Sequence, residues 1–556
     1  MKAFATLLDR LSYEPQRNEK LALIHDYLRR TGDPARGFAL AALTGTLDFP
    51  HAKPALLRAL IEARTDPVLF AWSYDYVGDL AETISLIWPP PERAAEKWEP
   101  VFRHGARQTK EPQRGRNAPP PSLDEVVIEL QDAAKDEIPQ RIAALLDALS
   151  PTERWALLKM MTGALRVGVS ARLAKTAVAM LGDHAVEEIE EVWHGLSPPY
   201  TDLLLWAEGK GPPPSIAHTL PFRPVMLSHA LEAREHQDIT PADFSAEWKW
   251  DGIRIQAARQ KGDARLFSRT GEDIASAFPD LLDALDFSGV IDGELLVIVD
   301  GKIRPFAELQ QRLNRKTVTR THLQKFPAGL MAYDLLFEGD EDLRALPFAA
   351  RRTRLEALVK AARNPRLALS PLVPFADFET LAEARANPPH EAIEGVMLKR
   401  KTSPYLAGRV RGHWYKWKRD PYLIDAVLMY AQRGHGKRSS FFSDYTFGVW
   451  RGDELVPVGK AYFGFTDEEL AEIDRFVRNN AINRFGPVVE VEHSAKTGLV
   501  FEVAFEGLQR SPRHKSGLAM RFPRISRLRW DKPPAEADRI ETLEALLASR
   551  ALEGQG

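Results

Sequence analysis

The spacing of apolar residues along the chain changes once, near residue 210. Before that point apolar positions recur every three or four residues, which is typical of amphipathic helices. Ser122 and Glu125, for example, stand ahead of an apolar run with the spacing of a capping box. The pattern therefore predicts a helical region over residues 1–210.

A second pattern begins after the connector EGKGPPP at 208–214, which cannot continue a helix. Apolar and polar residues now alternate in short runs, as in strands, and helical segments lie between some of them. We expect an α+β domain over 211–420. Short strands with glycine turns then predict a small β-barrel over 421–540, and 541–556 reads as a C-terminal tail.

Composition limits the classes of protein that fit. The 556 residues correspond to three or four domains at about 150 residues each. Hydrophobic residues make up 44% and charged residues 27%, which is an ordinary globular balance. The absence of cysteine excludes disulfides, Cys-ligated zinc and thiol nucleophiles. With no long apolar run and no signal peptide, we expect a cytoplasmic protein with no membrane partner.

Positive charge is concentrated in the C-terminal half, although the formal net charge is only −2. Residues 399–419 hold eight Lys and Arg and no acid, and residues 510–532 hold eight more with one acid. Such runs are often solvated faces, but they also suit contacts with phosphate. Lys437 and Arg438 lie in a glycine-containing basic loop that suits a nucleic-acid backbone.

The strand-like segment from Glu247 to Gly252 carries the first chemical signal. Alternation along a strand places Glu247, Lys249 and Asp251 on one face and the two tryptophans on the other. A lysine among carboxylates can serve as a nucleophile if its pKa falls or a metal polarises its target. A solvated strand face is the plain alternative.

Later segments supply further parts of the same chemistry. Arg269 stands at a strand-to-turn junction, Glu294 and Glu394 are carboxylates in apolar strands, and Phe337 ends a strand with an aromatic ring. Lys416 and Lys418 share one strand face, which suits two ammonium groups on one phosphate. Together these residues fit nucleotidyl transfer, in which a lysine attacks an α-phosphate.

The ordered motifs KWDG, SRTG, DGE, YDLLF, EGVMLK and WYKWK resemble those of the covalent nucleotidyltransferases, specifically the ATP-dependent DNA ligases. The resemblance covers roughly residues 220–532. It implies an all-α N-terminal DNA-binding domain, an α+β nucleotidyltransferase domain of the ATP-grasp-like DNA ligase type, and a C-terminal OB-fold barrel. The stretch FEGLQRSPRHKSGLAMRFPRI is most similar to a bacterial branch described as cisplatin-damage-response ligases.

The resemblance also implies the roles of individual residues. Lys249 would become adenylated, Glu247 would read adenine, and Phe337 would stack on it. Glu294 and Glu394 would hold Mg²⁺, with Mn²⁺ as an alternative. The remaining ATP contacts would come from Arg254, Arg269, Glu294, Lys416, Lys418 and either Arg409 or Arg411; the residues orienting pyrophosphate would be Asp531 and Lys532, with Arg527 or Arg529.

The resemblance further implies a monomer that binds nicked duplex DNA. Arg166, Gly168 and Ser170 match a DNA-binding segment in the helical domain of larger ligases, and an ordinary helix boundary is the alternative. An RNA ligase or a capping guanylyltransferase shares the chemistry but fits the helical front and the SRLRWDK ending less well. A non-catalytic nick-binding protein would not need the intact lysines and glutamates.

Overall fold

The computed structural model describes residues 1–89, 120–163, 165–215, 220, 222–313, 315, 318–434, 441–512 and 514–553. The N-terminal part is helical, as the apolar spacing predicts, and one continuous core buries residues from Met1 to Ala207. Its helices are α1 Lys2–Tyr13, α2 Arg17–Arg30, α3 Ala35–Thr44, α4 Pro54–Arg64, α5 Pro67–Val77, α6 Leu80–Ile87, α7 Leu123–Asp132, α8 Ile138–Ala148, α9 Pro151–Thr162, α10 Ala171–Ala179, α11 Val186–Trp193 and α12 Thr201–Ala207.

Side-chain caps fix where several of these helices begin. The Glu125 amide donates to Ser122 Oγ at 3.3 Å, and the Ser122 amide donates to the Glu125 carboxylate at 2.9 Å. This reciprocal pair satisfies amides that the first turn leaves without partners, so the predicted capping box is confirmed. Ser170 caps α10 by a single bond, in which its Oγ accepts from the Leu173 amide at 3.2 Å.

Two twisted sheets form the middle of the chain. The strands of the first lie in the order β10-β8-β6-β4-β5, and those of the second in the order β11-β3-β12-β14-β2. The elements are β1 Met226–Leu227, β2 His229–Ala230, β3 Phe244–Trp250, β4 Ile253–Gln260, β5 Asp263–Ser268, α13 Pro279–Ala284, β6 Gly289–Val299, β7 Lys302–Ile303, α14 Phe306–Leu309, α15 Arg320–Lys325, β8 Ala328–Glu338, β9 Glu341–Asp342, α16 Phe348–Ala362, β10 Leu367–Leu369, β11 Leu372–Val373, α17 Phe378–Ala386, β12 Ile393–Arg400, β13 Gly408–Arg409 and β14 Trp414–Lys418.

The C-terminal part is built on one sheet in the order β17-β16-β15-β19-β18, with β20 on β15 and β23 on β20. Within the described residues, β21 and β22 pair with each other as a separate hairpin. The structure therefore confirms an OB-fold-like sheet, but this sheet is not closed into the barrel that the sequence predicts. The elements are β15 Tyr422–Arg433, β16 Phe442–Arg451, β17 Glu454–Ala461, α18 Asp467–Asn479, β18 Ala481–Phe485, β19 Val488–Val491, β20 Val500–Phe505, β21 Gly507–Arg510, β22 Leu518–Arg521, β23 Arg524–Leu528 and α19 Ile540–Glu553.

The last helix is part of this C-terminal core. Ile540 and Leu543 of α19 are buried in the same hydrophobic cluster as Phe447, Phe501 and Ile525 of the sheet. The first turns of α19 therefore pack on the OB-fold-like domain.

The helical part docks directly on the first sheet. Glu191 of α11 pairs with Arg223 and with Arg344, each at 2.8 Å. His194, which follows α11, lies with its ring 4.5 Å from the ring of Phe222. A side chain on Gly271, whose φ is +87°, would strike this imidazole. These contacts tie the helical domain to the turn that carries Arg269.

Candidate active site

A cavity of about 460 Å³ opens between the two central sheets. Lys249 lies in it, near the end of β3, and is flanked by side chains from both sheets. The sequence-predicted residues that line the cavity are Glu247, Lys249, Arg254, Arg269, Glu294, Glu394, Arg409, Lys416 and Lys418. Residues far apart in sequence thus meet in one place, as the order of motifs predicts.

Strand register explains how the lysines come together. Gly395 of β12 lies opposite Lys249 on one side and Lys418 on the other. Its φ is +148°, and a Cβ there would lie 2.3 Å from the Trp417 carbonyl oxygen, so glycine is required. Next to it, the two oxygens of Glu394 bind Lys249 Nζ at 3.2 Å and Lys418 Nζ at 3.1 Å.

Lys416 is surrounded by other cations of the cavity. Burial lowers the pKa of its ammonium, and Arg409, Lys418, Lys249 and Arg269 lower it further. Burial likewise lowers the pKa of the Arg269 guanidinium. Neighbouring cations disfavour one another's charged forms, and a bound anion such as phosphate stabilises those charged forms.

The sequence does not decide whether Arg409 or Arg411 contacts the nucleotide. The described residues that line the cavity include Arg409 of β13 and do not include Arg411. Arg409 also belongs to the group of cations that depress the pKa of Lys416. The structure therefore places Arg409 at the cavity.

Glu294 of β6 has a carboxyl whose charged form the surrounding protein stabilises poorly. Burial raises the pKa of its carboxyl to about 8, against the opposing effects of Lys249 and Arg254. Among the described residues no group of three or more His, Cys, Asp or Glu could hold a metal by itself. Glu294 and Glu394 nevertheless fit Mg²⁺, which takes one or two carboxylates together with substrate phosphates.

Two predicted nucleotide contacts are also engaged in ion pairs with the protein. Glu247 is 2% exposed and binds Lys399 Nζ at 2.7 Å and Arg352 Nη1 at 2.9 Å. Arg254 binds both oxygens of buried Asp292, at 3.0 and 2.7 Å. Both side chains reach the cavity wall, so each combines a structural ion pair with a surface toward the cavity.

The aromatic side of the cavity differs from the prediction. Tyr333 of β8 lines it, whereas Phe337 lies outside, with the Arg223 guanidinium 4.5 Å and the Arg344 guanidinium 5.4 Å from its ring centroid. Phe337 therefore packs beneath the helical domain and is not in place to stack on a base there. The neighbouring Asp334, paired with Arg351 at 2.8 Å, anchors this part of β8.

The predicted pyrophosphate-orienting residues also lie away from the cavity. Arg529 and Lys532 bind Asp425 of β15 at 3.1 and 2.7 Å, and Arg529 also binds Asp531 at 2.9 Å. Arg527 faces Glu502 at 3.9 Å. The OB-fold-like domain is turned so that a different edge faces Lys249.

That edge carries contacts that the sequence patterns did not reveal. Arg521 of β22 donates to both oxygens of Asp251, one of them at 3.0 Å. Glu506, between β20 and β21, accepts from Lys418 Nζ at 2.8 Å. The intervals of 270 and 88 residues between these partners hide them from any local pattern.

The predicted DNA contacts of the helical domain lie at its surface. Arg166, Gly168 and Ser170 are all exposed in the loop that leads into α10. A Cβ on Gly168 would lie 2.3 Å from Lys20 Nζ. Lys437 and Arg438 lie outside the described residues.

Comparison with known families agrees with this site. Residues 225–418 match the family described as "ATP dependent DNA ligase domain", and residues 438–532 match "ATP dependent DNA ligase C terminal region". A probable DNA ligase of Koribacter versatilis is 33% identical over 75% of both chains. DNA ligase 1 of Korarchaeum cryptofilum is 29% identical over 98% of both chains.

A solved structure named Pmar-Lig_Pre has the same fold, with a TM-score of 0.57 and 14% identity over 95% of this chain and 99% of its own. No helix in the described part of the chain is both long and apolar enough to cross a bilayer. The family matches, the similarity to the Koribacter protein and the clustered motif residues agree, and the chain belongs to the ATP-dependent DNA ligases.

Proposed function

We propose that this ligase seals nicks in duplex DNA with Lys249 as the carrier of AMP. The Lys249 amine attacks the α-phosphorus of ATP, a P–N bond forms, and pyrophosphate leaves. An oxygen of the nick's 5′-phosphate then attacks the adenylate and releases the amine. Finally the 3′-hydroxyl attacks the 5′-phosphorus, and AMP leaves as the phosphodiester forms.

One observation carries this assignment: Lys249 Nζ lies 3.2 Å from Glu394 in a cavity that is also lined by the cations Arg269, Arg409, Lys416 and Lys418. A fixed set of cations around the reacting phosphorus stabilises charge that develops in the transition state. Of these cations, Arg269, Arg409 and Lys416 serve all three transfers, because each transfer passes through a similar phosphate centre.

Base recognition is assigned to Tyr333 and Glu247. Tyr333 offers a ring on the cavity wall on which adenine stacks. Glu247, held by Lys399 and Arg352, presents a fixed acceptor for the exocyclic amine of adenine.

Glu294 and Glu394 are the residues that would hold Mg²⁺, or Mn²⁺ in its place. Bound there, the ion supplies positive charge that neutralises the phosphate oxygens during transfer. The poorly compensated carboxyl of Glu294 supports this role, since its pKa is raised to about 8 by burial.

The division of the chain into three domains and a C-terminal extension follows these roles. Residues 1–210 bind DNA, 211–420 carry adenylation, 421–540 form the mobile OB-fold domain, and 541–556 form its C-terminal extension. Arg166, Gly168 and Ser170 contact the DNA backbone, with Lys437 and Arg438 as further contacts. We assign the protein to the cisplatin-damage-response branch of these ligases. We propose that it is a cytoplasmic monomer and acts in DNA repair.

The orientation of the OB-fold domain corresponds to the sealing steps. Arg521 and Glu506 dock it on the adenylation domain, and Asp531 and Lys532 point away from Lys249. Self-adenylation requires the domain to turn so that these residues reach the pyrophosphate, as in other conformational steps that gate catalysis.

Incubation with α-³²P-labelled ATP and Mg²⁺ tests the proposal. Wild-type protein should become covalently labelled, and later addition of nicked duplex should move the label to DNA. Lys249→Ala should remain unlabelled, whereas Lys302→Ala, which removes an exposed lysine of the same domain, should label as wild type does. Labelling of Lys249→Ala, or labelling by GTP alone, would overturn the assignment.

A further inference from the structure

Lys418 is held between two carboxylates from different domains. Its Nζ lies 3.1 Å from Glu394 Oε2 in the adenylation domain and 2.8 Å from Glu506 Oε2 in the OB-fold domain. An ammonium has three donors, so these acceptors take two of them. Lys418 is thus largely neutralised, in contrast to its neighbour Lys416.

The electrostatics of the two lysines reflect this contrast. Burial lowers the pKa of Lys418, but Glu394 and Glu506 outweigh it and the pKa is raised. For Lys416, burial and the surrounding cations all act to lower the pKa. In the observed orientation of the OB-fold domain, Lys416 is therefore available to bind an anion, whereas Lys418 is already paired with two carboxylates.

Glu506 reaches Lys418 only through the docking of the OB-fold domain. Its amide donates to the Arg521 carbonyl oxygen at 3.0 Å, so the residue lies beside the arginine that binds Asp251. Both side chains line the nucleotide cavity, where they bring one anion and one cation from the same edge of the domain. Rotation of that domain removes both.

We propose that Glu506 competes with nucleotide phosphate for Lys418, so that the docked OB-fold domain lowers the affinity of the cavity for ATP. This inference rests on the proposed phosphate-binding role of Lys418. A carboxylate next to a phosphate site repels its ligand, which is a common way to disfavour an unwanted one. Glu506 is a positioning residue that acts through Lys418.

The consequence concerns the order of the reaction. Once AMP has passed to the 5′-phosphate, the Lys249 amine is free again. If the adenylated DNA leaves the cavity before the nick is sealed, ATP takes its place and re-adenylates Lys249. With Glu506 on Lys418, a triphosphate meets one available cation fewer, because the Arg521 that docks beside Glu506 is itself paired with Asp251. The single phosphate of bound AMP keeps Lys416.

The test is the Kd of full-length protein for α,β-methylene-ATP with Mg²⁺, measured by calorimetry. This analogue cannot transfer AMP, because a carbon replaces the oxygen between the α- and β-phosphorus. Glu506→Gln should tighten binding roughly tenfold. Glu506→Asp keeps the charge and should remain within about threefold of wild type. Unchanged affinity in Glu506→Gln, or equal tightening in Glu506→Asp, would overturn the inference.

A double-mutant cycle shows whether Glu506 acts through Lys418. In a Lys418→Met background, Glu506→Gln should no longer tighten binding, and full tightening there would contradict the inference. Lys418→Met alone reports separately on the proposed function. If it leaves the Kd of the analogue unchanged, Lys418 does not bind phosphate, whatever Glu506 does.

Discussion

Arg521 and Asp251 join the OB-fold domain to the strand end that carries Lys249, the proposed nucleophile. The guanidinium binds both carboxylate oxygens, and the two side chains are 27% and 17% exposed. Asp251 follows Lys249 by two residues, so this ion pair couples the position of a whole domain to the Lys249 amine. The bidentate geometry makes the pair directional as well as attractive.

Loss of this pair should impair sealing more than self-adenylation, since only the docked orientation uses it. Arg521→Gln should slow sealing of a pre-adenylated nick by roughly tenfold, which corresponds to the loss of one partly buried charged contact. Single-turnover rates measure both steps. In a double-mutant cycle, the variant that combines Asp251→Asn with Arg521→Gln should seal only slightly more slowly than either single variant. Fully additive decreases in the sealing rate would show that the two residues act independently.

Asp531 should matter for the opposite step. It is exposed and bonds to Arg529 two residues away, so Asp531→Ala should leave the fold intact. We expect self-adenylation to fall by roughly one to two orders of magnitude, as for other groups that stabilise a leaving charge. Sealing of pre-adenylated DNA should remain near wild type. An equal fall in both rates would argue against a role with pyrophosphate.

Tyr333 and Phe337 make a matched aromatic pair on one strand. Tyr333→Ala should raise the KM for ATP by roughly tenfold or more, the cost of losing a base-stacking ring. Tyr333→Phe should retain the ring and most of the affinity. Phe337→Ala should leave the KM unchanged, because its ring lies between Arg223 and Arg344. A raised KM in Phe337→Ala would show that adenine reaches that ring after all.

Arg166 should contribute to DNA binding through charge. It is exposed beside the N-terminus of α10, where backbone amides and a cation can meet one phosphate. Arg166→Ala should weaken binding to nicked duplex and lower the slope of log Kd against log salt by about one. Arg30→Ala, which removes an exposed arginine from α2 of the same domain, serves as the control. An unchanged slope in Arg166→Ala would place its side chain off the DNA.

His194 should make the docking of the helical domain sensitive to acid. Burial lowers the pKa of its imidazole to about 3, and Lys175 adds to the effect. The unfolded chain takes up this proton near pH 6.5 and the folded chain only near pH 3, so stability falls as the pH drops across that window. The melting temperature of wild type should decrease more steeply between these values than that of His194→Gln. Parallel curves would mean that His194 is solvated.

The residues that motifs could predict are those whose positions follow from strand geometry. Lys249, Glu394, Lys416 and Lys418 come together as expected, because neighbouring strands in register place alternate residues on one face. The helical N-terminus likewise follows from apolar spacing and capping residues that act locally. In these regions local preference and tertiary structure agree.

The structure departs from the expected positions where contacts between distant or irregular segments determine the geometry. Register shifts between β6 and β8 determine which aromatic of β8 faces the cavity, and these cannot be read from the sequence of β8 alone. The aspartate that follows Tyr333 is a local signal for the position of this ring. Asp334 is buried in an ion pair with Arg351, and this pairing fixes the position of the adjacent residue. The positions of Arg521, Glu506 and Asp531 depend on how the OB-fold domain is turned, which no local pattern encodes.

The central claim is that one amine, Lys249 Nζ, forms a P–N bond to AMP. Peptide mapping by mass spectrometry, after incubation of the full-length protein with ATP and Mg²⁺, tests it most directly. We predict an AMP adduct on the peptide that contains Lys249, and its loss when nicked duplex is added. An adduct on any other lysine, or none in protein that still seals nicks, would contradict the account.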